Sequence, residues 1–372
     1  MKMQKFLLSS LLIGFFFSGR AQDSIPATGI SGVYEVVLGT KQASTAIQYF
    51  GEFGFRVVDS ARLTAAQATA LYQVPVAAKV YRLQNGKIDS HGLLRIIEWE
   101  HLLGPGVGYA VPETVGQRLS VMLTKDIIRL TDIYQLLRTK QEKWLPTVPV
   151  FDDPLRINSG TETGFYKRPV GVRENAVYGE FFNHVFFQRY GYTIPGYGTI
   201  DPATPLQTSE FTHHDFCIKV DSMRQLMYLQ TAFGLKAERP PVVDGDNNKG
   251  PKATFLMPDG YSHYYQGFVS PNNICGKLKF FMAVRGDKPD ASGRQRLGEP
   301  GITMHTFYTP RLQLIHELVK RHGLEPTTIT TNEFGELSFV VRGPEGATWQ
   351  LIDKKRTNHQ PVTILSTQFT KD

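Results

Sequence analysis

Phe339-Val340-Val341-Arg342-Gly343-Pro344-Glu345-Gly346-Ala347-Thr348-Trp349-Gln350-Leu351 reads as two strands joined by a tight turn. Apolar side chains dominate both arms. In the turn, proline presets φ, the acidic side chain bonds back to the backbone, and glycine takes φ > 0. Alone, the motif says only hairpin. What precedes it says more: a strand over 303–308, then a helical stretch, Leu312–Arg321, ending at His322-Gly323-Leu324, with the glycine placed as a helix cap.

The same grammar occurs earlier. A strand over 216–220 leads to a helix over 223–233 that ends at Phe233-Gly234-Leu235, and a weaker turn, Met257-Pro258-Asp259-Gly260, follows. A strand over 32–38 leads to a helix over 44–53 with Ala46, Ile47, Tyr49, Phe50 and Phe53 at helical spacing. It stops at Phe53-Gly54-Phe55, before strands over 78–83 and 93–99. Gly54, Gly234 and Gly323 lie about 180 and 90 residues apart, so a further unit is expected near residue 140. A strand over 118–123 and a helix over 127–137 supply it, ending without glycine at Thr139-Lys140.

The fold class is therefore α+β: four repeated units of strand, helix and about three strands, each of about 90 residues. Connectors over 103–116, 191–209 and 286–301 are rich in Gly and Pro. The predicted organisation is an N-terminal paired-unit domain over 30–190, a linker over 191–209, a C-terminal paired-unit domain over 210–355, and a tail over 356–372.

Residues 1–22 carry Lys2 and Lys5, an apolar run over 6–17, and small residues at Ser18, Gly19 and Ala21. A basic start, a short apolar run and a small-residue end form a secretory signal, so the chain is expected to be exported, periplasmic or secreted. Removing the signal takes away Lys2, Lys5 and Arg20 and brings the net charge from +7 to +4. The remaining basic residues are scattered rather than striped, which argues against a nucleic-acid partner. No later segment is apolar enough for a membrane span. Cys217 and Cys275 are too few to form a disulfide framework.

These residues resemble the vicinal oxygen chelate superfamily, which includes glyoxalase I, extradiol dioxygenases and fosfomycin-resistance proteins. The resemblance covers nearly all of residues 32–353 and is sharpest at the closing hairpin. It implies repeated βαβββ modules paired into two cupped-sheet (glyoxalase-like) domains, with a metal site whose ligands come from the first and last strand of each module. In the C-terminal pair it points to His213 or His214 from one first strand, His305 from the other, and Gln350 four residues past Gly346. Helix-end spacing favours His214, whereas strand alternation turns His213 inward with Asp215 and Cys217.

The implied cofactor is a divalent metal ion (Zn, Fe, Mn or Ni), held by a neutral set weaker than one with a carboxylate. His263, Tyr264 and Tyr265 are the candidate acid/base groups. The implied activity is that of a lyase, isomerase or dioxygenase on a small oxygenated substrate; the alternative is a metal-free cup that binds a small ligand without catalysis. An exported protein has little access to glutathione, which argues against glutathione-dependent glyoxalase activity. Self-contained paired units suit a monomer or a homodimer.

Overall fold

The computed structural model describes residues 25–140, 142–152, 170–244, 249–272, 275–283 and 288–353; the expected signal over 1–22 and the expected tail over 356–372 lie outside them. Unit one comprises β1 (Glu35–Thr40), α1 (Ala43–Glu52), β2 (Phe55–Leu63), α2 (Ala65–Tyr72), β3 (Ala78–Asn85) and β4 (Leu93–Trp99). Unit two comprises β5 (Arg118–Thr124), α3 (Ile127–Thr139), the short β6 (Trp144–Pro146) and β7 (Val150–Asp152), β8 (Gly171–Gly179) and β9 (His184–Tyr190).

Unit three opens with β10 (Thr208–Cys217), whose chain runs through a 3-10 helix (Val220–Met227) into α4 (Tyr228–Thr231). It continues with β11 (Lys236–Ala237), β12 (Val242–Asp244), α5 (Lys249–Thr254), β13 (His263–Val269) and β14 (Lys277–Ala283). Unit four comprises β15 (Gly301–Tyr308), α6 (Leu312–Arg321), β16 (Thr330–Thr331), β17 (Leu337–Arg342) and β18 (Thr348–Ile352). α2 is an addition to the expected pattern, started by a capping box in which Thr64 and Gln67 bond reciprocally.

Two large sheets result. The first has the order β16-β17-β18-β15-β1-β4-β3-β2, and the second β11-β13-β14-β10-β5-β9-β8-β6. Each is joined at its centre by antiparallel first strands: β1 with β15, and β5 with β10. The sheets therefore pair unit one with unit four and unit two with unit three, whereas the expected partition into 30–190 and 210–355 groups one with two and three with four. The helix-side cores group the other way. One gathers Phe216, Leu229, Phe233, Phe307, Ile315 and Trp349 from units three and four. Another gathers mainly Phe50, Phe53, Met122, Tyr134 and Phe186 from units one and two. Each unit is thus tied to one partner by hydrogen bonds and to another by apolar packing.

His184 shows how dry the second of these cores is. Its ring stacks on Phe53 and Phe186, with centroids 5.1 and 5.2 Å away, and its Nε2 lies 2.8 Å from the Tyr49 hydroxyl. Burial lowers its pKa to about 3. An unfolded histidine titrates near 6.5, so as pH falls from 6.5 toward 3 the unfolded chain takes up a proton that the folded ring refuses, and stability is lost. The stability advantage of the wild type over His184→Phe, measured by urea unfolding, should shrink by about 2 kcal/mol between pH 7.5 and pH 5. An advantage that stays constant or grows would mean that the buried ring carries its proton.

Candidate functional site

Strand alternation decides which side chains meet. In β15 and β18, His305 lies opposite Trp349 and Thr306 opposite Gln350, and residues directly opposite share a face. His305 therefore points away from the cup toward the other sheet. There it meets His214, ring centroid to centroid 4.8 Å, among Phe216 and Trp349. Nδ1 of His214 is 2.9 Å from the Ser120 hydroxyl, and Nε2 of both rings has no protein partner. Gln350 and His213 lie on the opposite faces of their sheets. The expected convergence of His213 or His214, His305 and Gln350 does not occur, because units three and four do not share a cup and adjacent residues on a strand face opposite ways.

The cup of the first sheet holds an ion network. Glu35 accepts from both Arg82 and Arg95. Arg82 also forks onto Glu336, at 3.0 and 2.9 Å, and Arg95 reaches Glu333 at 3.2 Å and the amide oxygen of Gln350 at 2.7 Å. The Phe334 ring lies 4.0 Å from the Arg82 guanidinium and closes the network from above. Burial alone would raise the Glu35 carboxyl, but the two guanidiniums hold it below its usual range. α2 seals the rest of the cup with Ala68, Leu71 and Tyr72 against Val37, Val80, Ile97 and Met304.

The cup of the second sheet is different. Phe255 and Met257, just after α5, fill one end against Leu119, Val185, Tyr265 and Phe281. Toward the other end, β10 turns His213 and Asp215 inward. The Tyr197 hydroxyl is hydrogen-bonded to Nδ1 of His213, whose Nε2 lies 3.5 Å from Oδ1 of Asp215. Neither that Nε2 nor that Oδ1 has a hydrogen-bond partner, although both are buried. Burial raises the Asp215 carboxyl to about 7 against the pull of Lys279, and does the same to Glu174. Burial, reinforced by Lys279 and Lys277, holds His213 well below its ordinary range, so the ring is neutral. Glu174 sits under α5 so closely that a β-carbon at Gly250 would stand 1.3 Å from its Oε1.

Tyr197 forms part of the wall of a groove of about 390 Å³ that also touches Leu123, Phe187, Arg189, Tyr192 and Ile194. Of the candidate acid/base residues, His263 and Tyr265 face this cup. His263 lies 2.9 Å from a Glu113 oxygen, and Tyr265 donates to Glu238 at 2.8 Å. Tyr264, between them on β13, is turned outward and 37% exposed. Tyr197, Asp215, Lys279 and Glu174 were not singled out as site residues from sequence. Alternation on β10 was the available signal for Asp215. Tyr197 lies in the 191–209 connector, where no periodic pattern marks it.

The donor sets do not suit a divalent metal. At the first and last strands of the first cup stand Glu35, Arg95, Thr306 and Gln350, and Arg95 already takes up the carboxylate and the amide oxygen. A dication there would face two buried guanidiniums. The His214–His305 pair offers two imidazoles in an aromatic shell, and the charge of nearby Arg118 disfavours further positive charge. Among the described residues no cluster of three or more His, Cys, Asp or Glu has a geometry that could hold a metal.

The ion network has a measurable consequence. Arg95→Met leaves three carboxylates facing Arg82 alone in a fully buried cup, and breaking a buried ion pair costs about 3–5 kcal/mol. Chemical denaturation at pH 7 should show a loss of that size. A loss below about 1 kcal/mol, the range of exposed pairs, would mean that water reaches the cup.

No family profile and no curated protein matches the chain. Solved structures do. A Bacillus subtilis protein titled as a candidate dioxygenase superimposes with a TM-score of 0.51 at 8% identity, over 88% of this chain and 86% of that one. A point mutant of glyoxalase I from Zea mays gives a TM-score of 0.50 at 12% identity, over 87% of this chain and 92% of that one. At such identities the likeness concerns the fold. Four βαβββ units closed into two cupped sheets are thus a fold that this chain shares with a glyoxalase I and with the Bacillus subtilis structure.

Proposed function

We propose that the chain is an exported enzyme that moves protons on a small oxygenated substrate, as a lyase or isomerase does, in the cup of the second sheet. The observation that carries this reading is the run Tyr197–His213–Asp215 at the wall of an open groove. Buried polar atoms are almost always hydrogen-bonded, and unpartnered ones call for a functional explanation. Here two of them, Nε2 of His213 and Oδ1 of Asp215, lie side by side.

The chemistry follows from the protonation states. A neutral His213 whose Nδ1 accepts from the Tyr197 hydroxyl keeps its proton on Nε2, toward Asp215. The Tyr197 oxygen is then the group nearest the groove, able to take a proton from the substrate as it passes its own to Nδ1 of His213, and to return a proton at another substrate atom as Nδ1 gives that proton back. Asp215, raised to about 7, faces Nε2 of His213 and as a carboxylate stabilises the imidazolium that forms, so this support is present above about pH 7 and lost below it. The step needs no redox partner.

Turnover measured over a panel of small α-oxo acids, α-hydroxy acids and catechols tests this reading. General acid–base groups contribute about 10²–10⁴-fold, so Tyr197→Phe and Asp215→Asn should each lower kcat by about 10²-fold or more. Wild-type kcat should fall as pH drops through about 7, where Asp215 takes up its proton. Binding of panel members without turnover would favour the ligand-binding alternative. Turnover unaffected by either substitution would place the chemistry elsewhere.

A further inference from the structure

The groove beside Tyr197 has a chemical character of its own. Its apolar wall is Leu123, Phe187, Tyr190, Tyr192, Ile194 and Tyr197, and its polar wall includes Lys125 and Arg189 but no carboxylate. Arg189, on β9, places its guanidinium carbon 4.2 Å from the Tyr197 ring centroid and 5.4 Å from that of Tyr192. No ion pair joins it to a carboxylate among the described residues, and its Nε is buried without a hydrogen-bond partner. A guanidinium flanked by aromatic faces is held in a fixed plane, which leaves its fork of donors oriented. In the first cup the buried arginines are answered by carboxylates, Arg82 by Glu35 and Glu336 and Arg95 by Glu35 and Glu333, and buried Arg118 is held by backbone carbonyls. Among the described residues, Arg189 has neither an answering carboxylate nor a carbonyl partner for its Nε.

We infer that the groove binds a small planar organic anion, a carboxylate borne on a single ring, with Arg189 taking the carboxylate and Phe187, Tyr192 and Tyr197 flanking the ring. A groove of about 390 Å³ falls within the range of small-ligand sites. The inference rests on the proposed function, since the same Tyr197 that borders the ring carries the hydroxyl bonded to His213. Anion binding by Arg189 would thus deliver the substrate's oxygenated carbon to the Tyr197 side of the groove.

Isothermal titration of the full chain with benzoate and 4-hydroxybenzoate tests this, with benzyl alcohol and inorganic phosphate as comparisons. Both carboxylates should bind, with benzyl alcohol and phosphate each at least tenfold weaker. Arg189→Gln should weaken benzoate tenfold or more, and Arg189→Lys should recover part of the loss. The wild-type comparison stands even if a variant fails to fold. The inference is overturned if benzyl alcohol binds as well as benzoate, if phosphate matches it, or if Arg189→Gln changes nothing. Such a failure leaves the proton-transfer reading to be judged separately, by the effect of Asp215→Asn on turnover.

Discussion

The antiparallel joins of β1 to β15 and of β5 to β10 govern everything else in this molecule. Each join fixes which residues of two distant strands lie opposite one another, and a shift by one residue would exchange cup and interface along the whole strand. With Glu35 opposite Thr306 and Val36 opposite His305, charge is committed to the cup and imidazole to the space between the sheets. With His214 opposite Ser120 and Asp215 opposite Leu119, the second sheet sorts its residues likewise. Because the joins link units one and four, and two and three, while apolar packing links the units the other way, no unit can leave its place without breaking contacts of both kinds.

The two cups built on those joins have opposite electrostatic designs. In the first, three carboxylates and two guanidiniums are closed off by Phe334 and α2, and every charge has its partner inside the protein. Such a network gains little net stability over a well-packed apolar core, because desolvation consumes most of the attraction. Its effect is geometric: β1, β3, β4, β18 and the turn after β16 are tied to one point by directional bonds. In the second cup the counter-charges are left incomplete. Asp215 and Glu174 share the influence of Lys279, while Arg189 has aromatic neighbours and, among the described residues, no carboxylate. A protein that satisfies its ions fully in one cup and partly in the other distinguishes a scaffold from a site.

Much of the fold was legible because its signals are local. The glycines at 54, 234 and 323, all at positive φ, end helices whatever those helices pack against. The closing hairpin also pairs as read, Val341 opposite Trp349 and Arg342 opposite Thr348. The partners of the units were not legible, since the joins bring together residues as far apart in the chain as Glu35 and Thr306, or Leu119 and Asp215, and no periodicity encodes such contacts. The histidine ambiguity had a local answer in the alternation of Phe216 against Asp215 and Cys217. Counting back from Gly234 pointed the other way because it assumed a regular helix, and the chain there begins as a 3-10 turn that rises further per residue. The Thr64–Gln67 capping box that starts α2 was also readable and would have announced the element that seals the first cup.

The connector between units two and three illustrates why site residues are harder to read than folds. Residues 191–209 look like a linker, because glycine, proline and threonine interrupt any pattern. Folded, the segment crosses the mouth of the second cup and contributes Tyr192, Ile194 and Tyr197 to the groove. Gly198, at a φ of +82°, comes so close to Leu123 that a β-carbon would meet its side chain at 2.7 Å. The glycine thus lets the connector lie flat on β5 and brings the Tyr197 ring, one residue earlier, beneath Arg189 and its hydroxyl onto His213. Irregular backbone is what allows an aromatic side chain to enter the cup from its rim, and it is also what removes the periodic signature by which sequence announces a buried residue.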